Sequence, residues 1–390
     1  MSKLDELIQK LCPDGVYFKR VDEICNISRG KVMSKDYIRD NAGVYPVYSS
    51  QTENNGVLGL ITSYEYDGEF LTWTTDGANA GTVFYRDGKF SVTNVCGLLK
   101  VTDEKIITKY LYYTLNRIAP EYVQKGMGNP KLMSNVMGRI KLPIPPLPVQ
   151  EEIVRILDNF TELTAELTAE LTARKKQYEY YRDTLLNYDE SIPRKRLGEI
   201  AEISRGTGLQ KTDFSLNGVG CIHYGQIYTK LNTFTDTTLT FVKPEVAEKL
   251  KTVSNGDIIM AVTSENIEDV CKCVAWLGDN SIVTGGHTAI IKHNQNPKYL
   301  AYYFQTSMFY KDKAKLAHGV KVIEVTPEKL KEIQIPIPPL KEQNKVVEIL
   351  DRFEVLCRNI TVGLPAEIEA RQKQYEYYRD KLLTFKELGA

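Results

Sequence analysis

Residues 173–186 read A-R-K-K-Q-Y-E-Y-Y-R-D-T-L-L, and residues 370–383 read A-R-Q-K-Q-Y-E-Y-Y-R-D-K-L-L. The eight consecutive identities, from Lys176 to Asp183 and from Lys373 to Asp380, are far beyond coincidence, so the chain holds two copies of one module. Working upstream, Pro143-Ile144-Pro145-Pro146-Leu147 matches Pro336-Ile337-Pro338-Pro339-Leu340. Gln150, Ile156, Leu157, Asp158, Phe160 and Leu163 then match Gln343, Ile349, Leu350, Asp351, Phe353 and Leu356. Proline is accepted ahead of a helix and in its first turn but not in its interior, so each proline run marks a helix start. The pattern predicts helices over about 149–187 and 342–385. Still further upstream, Ile27-Ser28-Arg29-Gly30 recurs as Ile203-Ser204-Arg205-Gly206, and Lys109-Tyr110-Leu111 recurs as Lys298-Tyr299-Leu300. The offset between copies grows along the chain, from 176 residues (Glu23 to Glu199) to 197 (Gln177 to Gln374). Two globular segments therefore differ in length and in most residues, while their edges and their helices stay alike.

Like surfaces make like contacts, so two similar helices of one chain are expected to pack about a pseudo-twofold axis and to run antiparallel. The fold class that follows is α+β: two mixed α/β domains separated by two long antiparallel, coiled-coil-like helices in a pseudo-twofold internal repeat. The expected divisions are a first domain at 1–147, a first spacer helix at 148–188, a second domain at 189–340 and a second spacer helix at 341–390. In the first helix Ile153, Leu157, Phe160, Leu163, Leu167 and Leu171 recur every three or four residues, the spacing of an amphipathic helix on a partner. Thr164-Ala165-Glu166-Leu167-Thr168-Ala169-Glu170-Leu171 is a four-residue unit repeated, and each unit lengthens a helix by about 6 Å. Gly363-Leu364-Pro365 should kink the second helix, and the four extra residues between Phe353 and Gln374 are expected to be taken up there.

Strand-like runs in the first domain, at 44–48, 69–74, 82–85 and 90–95, alternate with Gly, Asn and Asp turns and lead to a helix at 109–117. The second domain reads alike, with strands near 257–262, 270–277 and 281–292 and a helix from 297. Both suggest a curved sheet. The loops at 49–55, 74–79 and 125–131, and their counterparts at 224–228, 263–266 and 318–321, are polar and differ between copies.

Composition sets further bounds. The chain has 390 residues, 42% hydrophobic and 26% charged, as for a folded soluble protein. Tyrosine is unusually common at 24 residues, which suits interfaces. Lys+Arg and Asp+Glu are each 50, so a self-sufficient DNA binder, normally basic, is disfavoured. Local positive charge, or a partner's, remains compatible. The seven cysteines include no C-x-x-C pair and point to a reduced, cytoplasmic protein. Cys271 and Cys273, with His287 and His293, are spaced too closely for an ordinary zinc site, and no metal is expected. No run approaches the length of a membrane span, and the first ten residues are charged rather than signal-like.

Catalytic signatures are missing. Gly218-Val219-Gly220 lacks a third glycine and a following helix, there is no phosphate-binding P-loop, and Asn129-Pro130-Lys131-Leu132 lacks the second proline and the aromatic of an amino-methyltransferase motif. The chain is expected not to be an enzyme by itself.

The P-I-P-P-L hinge, the I-L-D-x-F helix start, the Thr-Ala-Glu-Leu units and the R-x-K-Q-Y-E-Y-Y-R-D-x-L-L helix end resemble the specificity subunit of type I restriction-modification systems, over the whole chain. The resemblance implies a subunit that reads a split target on double-stranded DNA, one half per domain, with the helices setting the unread gap. It implies two methyltransferase subunits as partners, and restriction subunits in the full complex. S-adenosylmethionine, and ATP with Mg, would be used by those partners, with no cofactor in this chain and the target base flipped into the partner's pocket. A coiled-coil adaptor without a DNA role is the alternative reading of the long helices.

Base and phosphate chemistry selects the candidate contacts, since Asn and Gln pair with adenine, and Arg and Lys with guanine or phosphate. In the first domain they are Arg29, Lys31, Ser50, Gln51, Asn54, Thr75, Asn79, Lys125, Asn129 and Lys131. In the second they are Arg205, Lys211, Gln226, Ser264, Asn266, His318 and Lys321. Arg29 and Arg205, being shared, suit the uniform backbone better than differing bases. For partner subunits the candidates are Tyr178, Tyr181, Arg182, Tyr375, Tyr378 and Arg379, because tyrosine and arginine favour interface anchors.

Overall fold

The computed structural model describes residues 2–126, 128–358 and 363–389. The fold is α+β. Two compact units divide it, Met1–Glu166 with Glu369–Ala390, and Leu167–Ile368. Each unit thus holds one globular body, the start of one long helix and the end of the other.

In the first unit an antiparallel sheet orders Cys25–Arg29, Cys96–Val101, Phe70–Thr74 and Val83–Arg86 side by side. Phe70–Thr74 is buried throughout, as its unbroken apolar and threonine run requires of a central strand. One face of this sheet packs on helix Thr108–Ile118, closing a core of Val21, Ile24, Leu71, Trp73, Leu99, Leu111, Leu115 and Met137. A second small sheet joins Ala42–Tyr48 to Val57–Ile61 and, in parallel, to Lys89–Val92. A ribbon of Tyr17–Arg20 against Lys141–Ile144 delivers the chain to the proline hinge.

The second unit repeats this plan. Ala201–Arg205, Thr288–His293, Ile258–Ala261 and Cys273–Trp276 form the matching sheet, with Phe234–Thr235 added at its edge. Arg194–Arg196 pairs with Gln334–Pro336 as the equivalent ribbon. The run at 281–292 is not one strand: Ile282–Thr284 belongs to a second sheet and Thr288–His293 to the first, with Gly285-Gly286 between them. Helix Ser307–Leu316, capped by the Thr306 side chain accepting from Phe309 N–H, has no counterpart among the expected elements.

The first long helix is continuous over Leu147–Leu185. It begins two residues ahead of the expected start because Pro148 sits within the first turn, where its missing N–H has no partner to lose. Ile153 and Leu157 are fully buried with Tyr110, Tyr113 and Leu383, each apolar side chain contributing roughly 1.5–3 kcal/mol. Leu163 is exposed, and Leu167 and Leu171 are half-buried, so the apolar stripe is best covered at its start. Thr161, Thr164 and Thr172 each donate to the carbonyl four residues back, which satisfies a hydroxyl on a solvent-facing helix. The second helical segment is divided into Leu340–Arg358 and Leu364–Leu382, with Pro365 in the first turn of the latter. The break at the Gly-Leu-Pro sequence is therefore a new helix start, and the expected uptake of four extra residues falls on 359–362, outside the described residues. In the second unit Val346, Val347 and Leu350 join Tyr178, Leu186, Tyr299 and Tyr302 in one core.

The ends of the helices are treated alike in the two units. Tyr181 stacks on Phe353, ring centroids 5.5 Å apart, and Tyr378 stacks on Phe160 at 5.6 Å. These are equivalent positions of the two copies, so the internal repeat extends to the packing. All seven cysteines are buried. Among the described residues no helix is long and apolar enough to cross a membrane.

Candidate nucleic-acid interface

Several loops of the first unit converge at one end of its sheet. Thr75 N–H donates to Ser50 Oγ, Ser50 and Thr75 both donate to the Val95 carbonyl, and Leu132 N–H donates to the Thr75 carbonyl. Asn79 Nδ2 donates to Thr52 Oγ1 at 2.8 Å, and Gln51 Nε2 to the Val57 carbonyl at 2.6 Å. Asp76 and Lys131 form a backbone β-bridge, and Lys131 also exchanges backbone hydrogen bonds with Gln124. Arg29 Nε donates to Ser134 Oγ at 3.3 Å, and Lys31 forms an ion pair with Glu65 at 2.8 Å. The candidate residues of this domain thus share one loop cluster, but in two roles. Ser50, Gln51, Thr75 and Asn79 spend hydrogen bonds on holding the loops; Asn54, Lys125, Asn129 and Lys131 are exposed at their tips. Asn54 and Asn55 both adopt the left-handed conformation, with φ 48 and 52, which asparagine tolerates better than most residues. Below them the buried Arg86 donates to the Asn55 carbonyl and lies 3.6 Å from the Tyr48 ring centre. Arg86 is a support that sequence reasoning missed; nothing in the strand pattern marks an arginine as buried.

The second unit builds its counterpart from other side chains. Arg205 Nε donates to the Gly286 carbonyl at 2.8 Å, and its guanidinium pairs with Glu324 at 2.6 Å. Glu324 and His318 exchange backbone hydrogen bonds, closing a hairpin whose Val320 is 96% exposed and whose Lys321 is exposed. Gln226 lies on the short helix Tyr224–Thr229 rather than a loop, and its Nε2 donates to Thr240 Oγ1 at 3.2 Å. Ser264 accepts from Asn266 N–H, and Asn266 Nδ2 donates to Asp269 at 2.8 Å. Lys211 is exposed and close enough to help hold His223 below its ordinary pKa, after the larger effect of burial.

Three rings pack beside these loops: Tyr224 from the expected loop at 224–228, His287, weighed above only as a zinc ligand, and His223, which the sequence reading passes over. His223 and Tyr224 lie 4.3 Å apart between ring centres, and Tyr224 and His287 4.8 Å. His287 Nδ1 is 2.8 Å from Thr263 Oγ1. His223 stands next to the expected loop at 224–228, and only the topology brings it and Tyr224 against His287. The three rings are tilted against one another rather than stacked, and rings with hydrogen-bonding edges can face a base or a sugar.

Among the described residues no group of three or more His, Cys, Asp or Glu side chains is arranged to hold a metal ion. Burial holds the Cys271 thiol up at about 12 and pushes Cys273 up as well, so both stay protonated.

The candidate partner residues fall into two classes. Tyr178 and Arg182 are buried within the second unit, where Arg182 pairs with Asp183 at 2.9 Å, so intrachain packing already occupies them. Tyr375 and Arg379 are partly buried in the first unit, while Tyr181 and Tyr378 keep an exposed edge. The most exposed tyrosines of the repeated segment are Tyr180 at 66% and Tyr377 at 64%, again equivalent positions. The face of a helix not used by its own core was legible only once the core was known.

The family model described as type I restriction modification DNA specificity domain matches residues 13–174 and 192–370. A protein of Mycoplasma pneumoniae named as a type I specificity subunit is 36% identical over 369 residues, 93% of this chain and 96% of its own. A Haemophilus influenzae protein named as a type I restriction enzyme specificity subunit is 32% identical over 389 residues, 95% of this chain and 96% of its own. Among solved structures, the type I restriction-modification S subunit from M. genitalium aligns with a TM-score of 0.54 at 14% identity, covering 94% of this chain and 95% of that one. A chain from a study of complex assembly and conformational transition of the type I restriction-modification system aligns with a TM-score of 0.58 at 14% identity, covering 96% and 98%. At such identity these two likenesses concern the fold.

Proposed function

Because the chain belongs to the type I restriction-modification DNA specificity family, we propose that it is the sequence-reading subunit of a type I complex and recognises a bipartite target on double-stranded DNA. One body reads each half-site, and the long helices set the gap between them. Methyltransferase subunits dock on the helices, and restriction subunits complete the assembly in the cytoplasm. Methylation of adenine with S-adenosylmethionine, and ATP- and Mg-dependent restriction, belong to those partners; this chain supplies position and no catalytic group.

The observation that carries the reading is the duplication of architecture with divergence of loops. Matching sheets present loop clusters at the same end of each body, yet the exposed candidates are Asn54, Lys125, Asn129 and Lys131 in one and Lys211, His318 and Lys321 in the other. Equal scaffolds with unequal tips are what two readers of unlike half-sites need. Tyr180 and Tyr377, exposed at equivalent positions, suit two copies of one partner.

The test is single-molecule methylome sequencing of a host expressing the chain with its methyltransferase partner. A motif of two short half-sites separated by a fixed unread gap is expected. Methylation without such a motif, together with purification that recovers no methyltransferase, would favour a coiled-coil adaptor instead.

A further inference from the structure

In the first unit Lys109 and Tyr113 stand one turn apart on helix Thr108–Ile118, and both reach Asp158 of the long helix. Lys109 Nζ lies 2.8 Å from Asp158 Oδ2, and the Tyr113 hydroxyl donates to Oδ1 at 2.6 Å. In the second unit Lys298 Nζ lies 2.7 Å from Asp351 Oδ2, and the Tyr302 hydroxyl donates to Oδ1 at 2.8 Å. Residue types, spacing and even the choice of carboxylate oxygen agree. Two further ties accompany the clamp. Tyr110 and Tyr299 donate to the carbonyls of Pro143 and Pro336, each at 3.0 Å. Gln150 and Gln343 donate to Pro145 and Pro338, each at 2.8 Å, and accept from the backbone at the start of the neighbouring helix.

Stability alone does not account for this agreement. The Asp158 and Asp351 side chains are 36% and 30% exposed, and ion pairs at such sites contribute little. Geometry does account for it: a carboxylate gripped from two points a turn apart on another helix fixes rotation as well as distance, whereas one bond leaves rotation open. Burial pushes both phenols well above their ordinary range, followed at Tyr113 by the bond to Asp158 and at Tyr302 by the Glu354 charge and then the bond to Asp351, so both stay protonated donors at any working pH.

We propose that this Lys–Tyr–Asp clamp is a positioning device that sets the angle between each reading body and its helix, and with it the phase in which the two half-sites are read. The inference rests on the function proposed above and names the residues that hold its geometry.

The experiment is methylome sequencing with the assembled methyltransferase carrying Asp158→Asn, Tyr113→Phe, or the exchanged pair Lys109→Asp with Asp158→Lys. The Lys298–Asp351 clamp is left intact. Expected for the two single variants is unchanged base preference in both half-sites, with methylation at gaps one base pair shorter or longer rising about tenfold or more over wild type, since a charge-assisted bond is lost. The exchanged pair should return the gap to a single value. A gap that stays single in Asp158→Asn and Tyr113→Phe while methylation falls uniformly would overturn the proposal, as would an exchanged pair that does not restore it. If Asp158→Asn does not accumulate, Tyr113→Phe, which removes one hydroxyl, decides alone. A wild-type complex without a bipartite motif refutes the reading of function itself, and the clamp's role with it.

Discussion

Gly30 and Gly206 end the Ile-Ser-Arg-Gly element that both copies share, and each sits where another chain segment passes too closely for any side chain. A Cβ at Gly30 would lie 1.6 Å from the Val92 carbonyl oxygen, and one at Gly206 2.2 Å from that of Gly285. Gly206→Ala or Gly30→Ala should therefore lower stability by about 1–3 kcal/mol, read as a fall in melting temperature; an unchanged melt would contradict this packing. The repetition of Arg-Gly invites a reading as a shared phosphate contact, but the structure also ties Arg29 to Ser134 and Arg205 to Glu324 within their own bodies. That double duty was not legible, because the partners lie about a hundred residues away along the chain. A second residue gives a pH prediction. His293 Nδ1 accepts from Gln295 N–H at 3.1 Å, so its proton sits on Nε2, which is buried and finds no partner among the described residues. Burial holds its pKa at about 4, below the ordinary 6.5. The folded state thus binds this proton less readily than the unfolded chain, and the stability involved is present above pH 6.5 and is lost as pH falls towards 4. Melting curves from pH 7 to 4.5 should show His293→Gln losing less stability than wild type, by on the order of 1 kcal/mol, and parallel losses would rule the residue out.

At the scale of elements, what a periodic pattern can carry was readable and what depends on distant strands was not. The first long helix spans Leu147–Leu185 against an expectation of about 149–187, because its apolar spacing and proline start are local signals. The division at Gly285-Gly286, by contrast, separates strands of two sheets, and no local periodicity distinguishes that from one long strand. Helix Ser307–Leu316 carries a lysine-rich, weakly patterned sequence, so its cap at Thr306 was the clearer signal. The Thr-Ala-Glu-Leu units fall where the chain passes from one compact unit into the next, at Glu166 and Leu167. One added unit lengthens the helix by about 6 Å against a base-pair rise of about 3.4 Å, so the recognised gap should widen by one to two base pairs. Methylome sequencing of the insertion variant checks this, and an unchanged gap would reject the helix as the ruler.

For the whole molecule, the balance of 50 basic and 50 acidic residues predicts weak, shallow binding by the chain on its own. Fluorescence anisotropy over a salt series should give a steeper dependence of log K on log salt for the assembled methyltransferase than for the isolated chain, by about 0.9 for each phosphate contact a partner adds. Equal slopes and equal affinities would place the backbone contacts in this chain instead. The repetition of one globular plan and one helical segment was legible because it is written twice; which loop side chains face outward was not, because Ser50 and Thr75 look as available in sequence as Lys125 does, and only coordinates show their hydrogen bonds turned inward. One earlier feature reaches beyond any single variant. Lys109, Tyr110 and Tyr113 grip their helix as Lys298, Tyr299 and Tyr302 grip theirs, so each globular body is held by a mount of the same design. A globular body lifted from one socket would meet familiar neighbours in the other, so whole bodies can be exchanged without redrawing the frame that carries them.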